Sequence, residues 1–516
     1  MSPAPVAPAP VNPAPRRGWC PGLARPMPTG DGLLVRLHPV AGRLGADQVR
    51  AAARAAREGG NGLLDATARG NLQIRGVTAE SHGRVVAILG EAGLGDLRHD
   101  GGPQRLTLNA PLAGADGLAV VAAVEAIGRE IAGLPAKTLV AVEDPAGGLG
   151  PVEADVWVRL IPGSSGITEA RGIPSPEWEM GRGDRRSREG GALQDKPPRV
   201  ELRSSTSSAL FGSRATLARS SIAPTPLPLG RGDPAPIPGT DTQLSGDVDV
   251  RRESLPALQL AVATPDGPYW LAPLPAPVAL ATLRTLLDGL AASGARRMRA
   301  LSPPQRDALL ADLTPGEAPP ATTALPAGLH GRTLLAELPF GRCDAALLDR
   351  IAGWSESHGD GHLALTPGRG IALTAYDEPT ADTLRNEVEA VGLIVDPADS
   401  RRSVAACPGA PACASGGTPA QADAHRLAAA FAPLAGLSAT AHVSGCPKGC
   451  ALPGPATLTL VGRADGRYGV VLEGNAGAET DLVLTFGAVL ERLESVRVRP
   501  APDVASDLRD AFREPA

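Results

Sequence analysis

The chain has 516 residues and a formal net charge of −5, with 50 Lys and Arg against 55 Asp and Glu. Aromatic residues make up only 3%, so the cores must be built from Leu, Val, Ile and Ala, and the length allows several domains. A balanced, slightly acidic chain excludes a general polyanion-binding surface, so no nucleic-acid partner is expected. Any anionic ligand must be met by a local cluster of cations.

Residues 1–17 (MSPAPVAPAPVNPAPRR) are rich in Pro and Ala and read as a disordered tail. They lack the apolar segment of a signal peptide, and no run elsewhere has the length of a membrane span. A cytoplasmic protein with no membrane partner is the expectation, and thiols in that compartment stay reduced.

The Gly30-Asp31-Gly32 turn and Met27 shape the entry into a predicted strand at 33–37, with Arg25 and Arg36 nearby as minor anion-binding candidates. A helix at 47–58 closes on Gly59-Gly60, strands follow at 63–66 and 72–77, and a second helix covers 80–92. Around the 72–77 strand, Asn71, Gln73 and Arg75 alternate with Leu72 and Ile74, so the polar side chains share one face while the apolar ones turn to a core. Arg69, just before the strand, can join that row.

The same strand, helix, strand, strand, helix order recurs at 332–377, at an offset of about 300 residues, and sets Arg369-Gly370 opposite Arg69-Gly70. Residues 134–158 align with 436–460 at nearly the same offset, placing Asp144 against Cys446 and Gly148 against Cys450. Strands are predicted at 138–143, 155–161 and 258–262. Between the last two, residues 163–254 are rich in Pro, Gly, Ser and Arg without apolar periodicity and read as a disordered insertion; 314–328 reads as a Pro-rich linker.

Cysteine spacing carries the most chemistry. Cys407-x5-Cys413 and Cys446-x3-Cys450 lie in small-residue loops, CPGAPAC and SGCPKGC, leaving Cys20 and Cys343 as ordinary thiols. Four thiolates match the ligand count of a [4Fe–4S] cluster, and Gly and Pro let backbone N–H groups approach the sulfurs. A structural zinc is the alternative, although x5 fits a zinc knuckle poorly. The chain has only three lysines, and two stand at telling positions: Lys448 between the last two cysteines and Lys137 at the turn before the 138–143 strand. A compact ammonium at such places is a candidate ligand-binding group.

Three segments, CPGLARPMPTGDGLL at 20–34, TARGNLQIRG at 67–76 and HVSGCPKGCALPGPATLTLVG at 442–462, resemble the nitrite/sulfite reductase superfamily and, within it, the precorrin-3B synthase family of aerobic cobalamin biosynthesis. The resemblance covers nearly everything except the tail and the insertion. It implies a duplicated α+β fold with two ferredoxin-like half domains and two cluster-type α/β domains, only the second carrying a cluster. The implied boundaries are a first half domain at 18–100, a first reductase-like domain without cluster at 101–313, a second half domain at 329–397, a 4Fe-4S cluster domain at 398–500 and a C-terminal helix or tail at 501–516.

The function implied by the resemblance is an O2-dependent hydroxylation of precorrin-3A with γ-lactone formation. Electrons from NAD(P)H would arrive through a partner and the cluster at Cys407, Cys413, Cys446 and Cys450, since no Rossmann glycine fingerprint is present. Arg69, Asn71, Gln73, Arg75, Lys137 and Lys448 would meet the carboxylates of the tetrapyrrole. A mononuclear non-haem iron is the expected oxygen-activating centre, and His442 stands close enough in sequence to serve as a hydrogen-bond donor to the cluster. The alternative reading is a siroheme-dependent nitrite or sulfite reductase with Cys450 bridging cluster and haem.

Overall fold

The polar and apolar alternation of the first strands folds as its period dictates. Strand β2 (Gly32–Leu37) and β5 (Leu72–Val77) pair antiparallel, with Leu37, Leu72 and Ile74 nearly or fully buried in one core. The computed structural model describes residues 20–145, 147–162, 255–480, 482–496 and 504–513; the expected tail at 1–17 and the insertion at 163–254 lie outside the described residues.

The first sheet runs β1 (Met27–Thr29), β2, β5, β4 (Leu63–Ala66), and then takes its fifth strand from far down the chain, β13 (Arg342–Asp344). The second sheet mirrors it: β11 (Gly328–His330), β12 (Thr333–Glu337), β15 (Gly370–Thr374), β14 (His362–Thr366) and β3 (Arg43–Gly45) from the first copy. Cys343 registers against Leu64, and Leu363 against Leu44. Each half domain thus covers the open edge of the other, where unpaired N–H and C=O groups would otherwise be left exposed.

Helices α1 (Ala46–Gly59) and α2 (Ala79–Glu91) back the first sheet. Their counterparts in the second copy are α6 (Ala345–His358) and α7 (Glu378–Ala390), numbered after three helices described next. Helix α1 packs on α6, and its buried Ala51, Ala52, Ala53, Ala55 and Ala56 let the helices approach closely. One continuous core holds both copies, so the expected pair of half domains is a single composite body.

The other two sheets share one plan. In the first, β6 (Thr107–Asn109), β7 (Val140–Glu143) and β8 (Val156–Leu160) are parallel, while β9 (Leu258–Thr264) and β10 (Gly267–Trp270) complete it antiparallel. Helices α3 (Ala115–Glu130) and α4 (Ala276–Ser293) pack on it, and α5 (Pro303–Leu310) follows. In the second, β16 (Val404–Ala406), β17 (Ala441–Ser444) and β18 (Ala456–Gly462) are parallel, followed by antiparallel β19 (Tyr468–Gly474) and β20 (Leu482–Leu484). Its helices are α8 (Ala420–Ala435), α9 (Phe486–Glu494) and α10 (Val504–Ala511), the last burying Leu508 in the same core.

The Pro-rich segment expected as a linker lies docked as a strap. It accepts Gln259 Nε2 at Glu317 O (2.8 Å) and Arg159 Nη1 at Pro320 O (2.6 Å), and Leu325 donates its N–H to Gly148 O (3.3 Å).

One buried charge network ties these bodies together. Arg75, 2% exposed, donates to Asp31 (3.0 and 2.9 Å), to Asp65 (3.2 Å) and to the carbonyl of Ala412 in the first cysteine loop. Arg342 of β13 grips the same Asp65 at 2.7 and 3.1 Å. Breaking a buried pair by removing one partner costs about 3–5 kcal/mol, so Arg75→Gln should lower unfolding stability by that order in a urea titration. Arg84→Gln, which removes an exposed pair with Glu58, should cost about 0–1 kcal/mol.

Candidate cluster site and arginine-rich face

The two cysteine pairs meet because parallel strands bring them to one sheet edge. Cys407 follows β16 directly and Cys446 lies two residues beyond β17, the neighbouring parallel strand in register at Ala406 and Val443. Loops at the carboxyl ends of adjacent parallel strands form the usual binding crevice of such sheets. Gly445 N–H donates to Cys407 Sγ at 3.1 Å, and a Cβ on Gly445 would lie 2.8 Å from Gly409 Cα, so only glycine allows this approach.

Cys407 is 7% exposed, Cys413 and Cys446 are half-buried, and Cys450 is exposed. Burial pushes the Cys446 and Cys450 thiols up, and the neighbouring sulfurs add to the rise, against the opposing pull of Lys448. Four cysteines gathered on two facing loops suit a cationic iron centre, which would take them as thiolates. Among the described residues no three His, Cys, Asp or Glu side chains converge as one metal ion would require. The expected mononuclear iron therefore finds no ligand triad among them.

Lys448 is exposed and donates to Ser415 Oγ at 3.0 Å, bridging the two cysteine loops at their mouth. Burial and the nearby Arg369 lower the pKa of His442 to about 4, so its imidazole is neutral at physiological pH. That ring is fully buried, and neither nitrogen has a hydrogen-bond partner among the described residues.

The polar row on β5 points away from the core as its alternation requires, but its members have separate fates. Arg75, expected among the substrate-binding groups, has its guanidinium held by Asp31, Asp65 and the Ala412 carbonyl. Asn71 is 7% exposed and its Oδ1 is unpartnered. Gln73 presents its carboxamide oxygen to Arg36, accepting from Nη2 at 2.6 Å and Nε at 3.1 Å. Two residues along a strand span about 6–7 Å, so Arg36 and Gln73 stand roughly that far from the anchor of the cysteine loop.

Around them the structure gathers cations that sequence reasoning underrated. Burial lowers the Arg36 pKa, with Arg69 adding to the fall and Cys20 opposing it. Arg69 is lowered by burial and then by Arg297. Neither Arg36 nor Arg69 makes an ion pair with a carboxylate among the described residues, whereas Arg297 is held by Asp155 at 2.9 Å. Arg105, 8% exposed, is lowered to about 10 by burial, and donates to Gly70 O at 2.7 Å and Asn109 Oδ1 at 3.2 Å. Burial, Arg36 and Arg105 push His38 down to about 3.

Cys20 donates its thiol to Ala136 O at 3.3 Å, which brings the turn bearing exposed Lys137 to the same region. Arg36 had been ranked low and Arg105, Arg297 and His38 unremarked, because isolated cations in sequence carry no sign of which neighbours will neutralise them.

The nitrite/sulfite reductase ferredoxin-like half domain family matches residues 25–92. A precorrin-3B synthase from Sinorhizobium sp. is 30% identical over 480 residues, covering 89% of this chain and 84% of its own. A sulfite reductase [NADPH] hemoprotein beta-component from Nitrosomonas europaea is 33% identical over 165 residues, 28% of this chain and 26% of that protein. The Mycobacterium tuberculosis NirA protein shares the fold, with a TM-score of 0.57 at 17% identity over 92% of this chain and 85% of its own. With the duplicated sheets, the cysteine quartet and a full-length relative in agreement, the chain belongs to the precorrin-3B synthase family, within the nitrite/sulfite reductase fold.

Proposed function

We propose that this chain hydroxylates precorrin-3A with dioxygen and promotes closure of a γ-lactone, in aerobic cobalamin biosynthesis. The observation that carries the reading is the pair Arg36 and Arg69, half-buried and without carboxylate partners, on the same sheet face as the anchor of the cysteine loop. Half-buried guanidinium groups without an ion-pair partner fit a ligand that brings several carboxylates of its own, as a precorrin does.

A [4Fe–4S] cluster held by Cys407, Cys413, Cys446 and Cys450 supplies one-electron transfer. Four cysteines on two facing loops match a cubane, which takes one thiolate per iron. The overall reaction would insert one oxygen atom of O2 into the substrate and release the other as water, consuming two electrons and one proton from a reduced nicotinamide, delivered through a donor protein, and one proton from solvent. The chain's own part is to bind and orient: Arg36 and Arg69 fix peripheral carboxylates, Gln73 holds the Arg36 fork in plane, and Lys137 and Lys448 add cations at the rim. Asn71, with an unpartnered buried oxygen, is a candidate acceptor for a pyrrole N–H.

A siroheme-dependent nitrite or sulfite reductase is the second reading, favoured by the exposure of Cys450, which leaves one thiol open toward a ligand. Intense haem bands in the visible spectrum of anaerobically purified protein would select it. A broad iron–sulfur absorption that responds to precorrin-3A selects the synthase.

Metal and sulfide analysis of the wild type should give about four irons per chain, with Cys446→Ala reducing both to background. A fifth iron would restore the mononuclear centre. Arg36→Ala and Arg69→Ala should each weaken precorrin-3A binding about 10- to 100-fold, the worth of a lost charge-assisted hydrogen bond, with the iron–sulfur spectrum unchanged. Titration of substrate absorbance reads the affinity, and wild-type affinity in both variants would remove the carboxylate-binding role.

A further inference from the structure

Arg369 precedes β15 and is the second-copy counterpart of Arg69, yet it serves a different place. Its backbone is left-handed, with φ of 71°, a conformation that costs a non-glycine residue of order 1–3 kcal/mol. The side chain passes where Gly341 has no Cβ: one built there would lie 2.5 Å from Arg369 Cδ. The guanidinium Nη2 then donates to Ala451 O at 3.1 Å, the carbonyl next to Cys450.

No carboxylate makes an ion pair with Arg369 among the described residues; burial lowers its pKa, while Asp65 and the Cys407 thiol act against that fall. Beneath the same loop lies the His442 ring, both nitrogens unpartnered, with Cε1 3.8 Å from where a Gly449 Cβ would stand. A strained cation without a counter-ion and a neutral imidazole without a partner thus face one pair of cysteine loops. Among the described residues no carboxylate pairs with Arg369 and nothing bonds the His442 ring, an arrangement that a bound, negatively charged sulfur centre would complete.

We propose that Arg369 is the counter-charge and positioning residue of the cluster, acting with an N–H of His442 to stabilise its reduced form. The inference rests on the cluster reading given above. One-electron reduction adds one negative charge to the cluster and four thiolates, and a fixed neighbouring cation and N–H donor favour that state. Removing either should make the potential more negative.

The test is an EPR-monitored redox titration of anaerobically purified holoprotein. Arg369→Gln should shift the midpoint to more negative potential by at least the equivalent of a tenfold change in equilibrium constant, about 59 mV for one electron. Arg369→Lys, which keeps the charge and loses the fork, should shift it less. His442→Leu should also shift it negatively. In cluster-free protein the same substitution should raise the thermal midpoint, because an unsatisfied polar ring is replaced by an apolar side chain.

A wild-type potential in fully loaded Arg369→Gln overturns the proposal. If that variant loses its iron, an unshifted potential in His442→Leu and Arg369→Lys overturns it instead. A wild-type protein without a [4Fe–4S] signal refutes the cluster assignment itself, a separate outcome.

Discussion

A single buried guanidinium, that of Arg75, is where the parts of this protein are joined. It lies between the Asp31 and Asp65 carboxylates and reaches the Ala412 carbonyl, while Arg342 from the second copy closes on Asp65. A buried arginine must have its donors met. The first hairpin turn, the exchanged strand β13 and the first cysteine loop are therefore positioned together. Gly30 follows from the same constraint, since its N–H donates to Ala412 O at 3.3 Å and a Cβ there would lie 2.2 Å from Pro411 O. Cys413, next in the chain after Ala412, inherits its position from this joint.

The duplication shows how one plan yields two chemistries. At the ends of β6 and β7 the first copy has Asp144, whose carboxylate accepts the Gly114 N–H at 3.0 Å, and the docked strap lies against Gly148 and Gly150. At the ends of β16 and β17 the second copy has four thiols. The paired arginines diverge likewise. Arg69 lies near Cys20, Arg36 and Arg297, with Asp155 and Glu153 also acting on it, whereas Arg369 turns to the cysteine loops. Arg75 thus links the strand that carries Gln73 to the Ala412 carbonyl of the first cysteine loop.

Local elements were legible in the sequence to within a residue or two. Strands 63–66 and 72–77 have the expected bounds, the helix at 47–58 extends by one residue at each end as α1, and the helix at 80–92 is shifted by one residue as α2. Period-2 alternation also told which side of β5 carries polar groups. It could not tell what covers that side, so Arg75 read as a ligand-binding group although two carboxylates neutralise it. Strands β3 and β13, three residues each, were invisible because their pairing partners lie about 300 residues away and no local pattern of that length is diagnostic. The docking of the strap is hidden for a similar reason: Pro-rich composition reports a lack of regular structure, and its contacts come from Gln259 and Arg159, far away in sequence.

The sequence by itself determined the duplication, the order of strands and helices within each copy, the faces of the strands and the spacing of the four cysteines. All of these rest on covalent order and on periodicities within a few residues. Tertiary structure alone decided the exchange of edge strands, the convergence of the cysteine pairs at parallel strand ends, and which arginines are neutralised and which are left unpaired. Charge pairing in a folded chain depends on distance and burial across hundreds of residues, and neither is encoded in any local run.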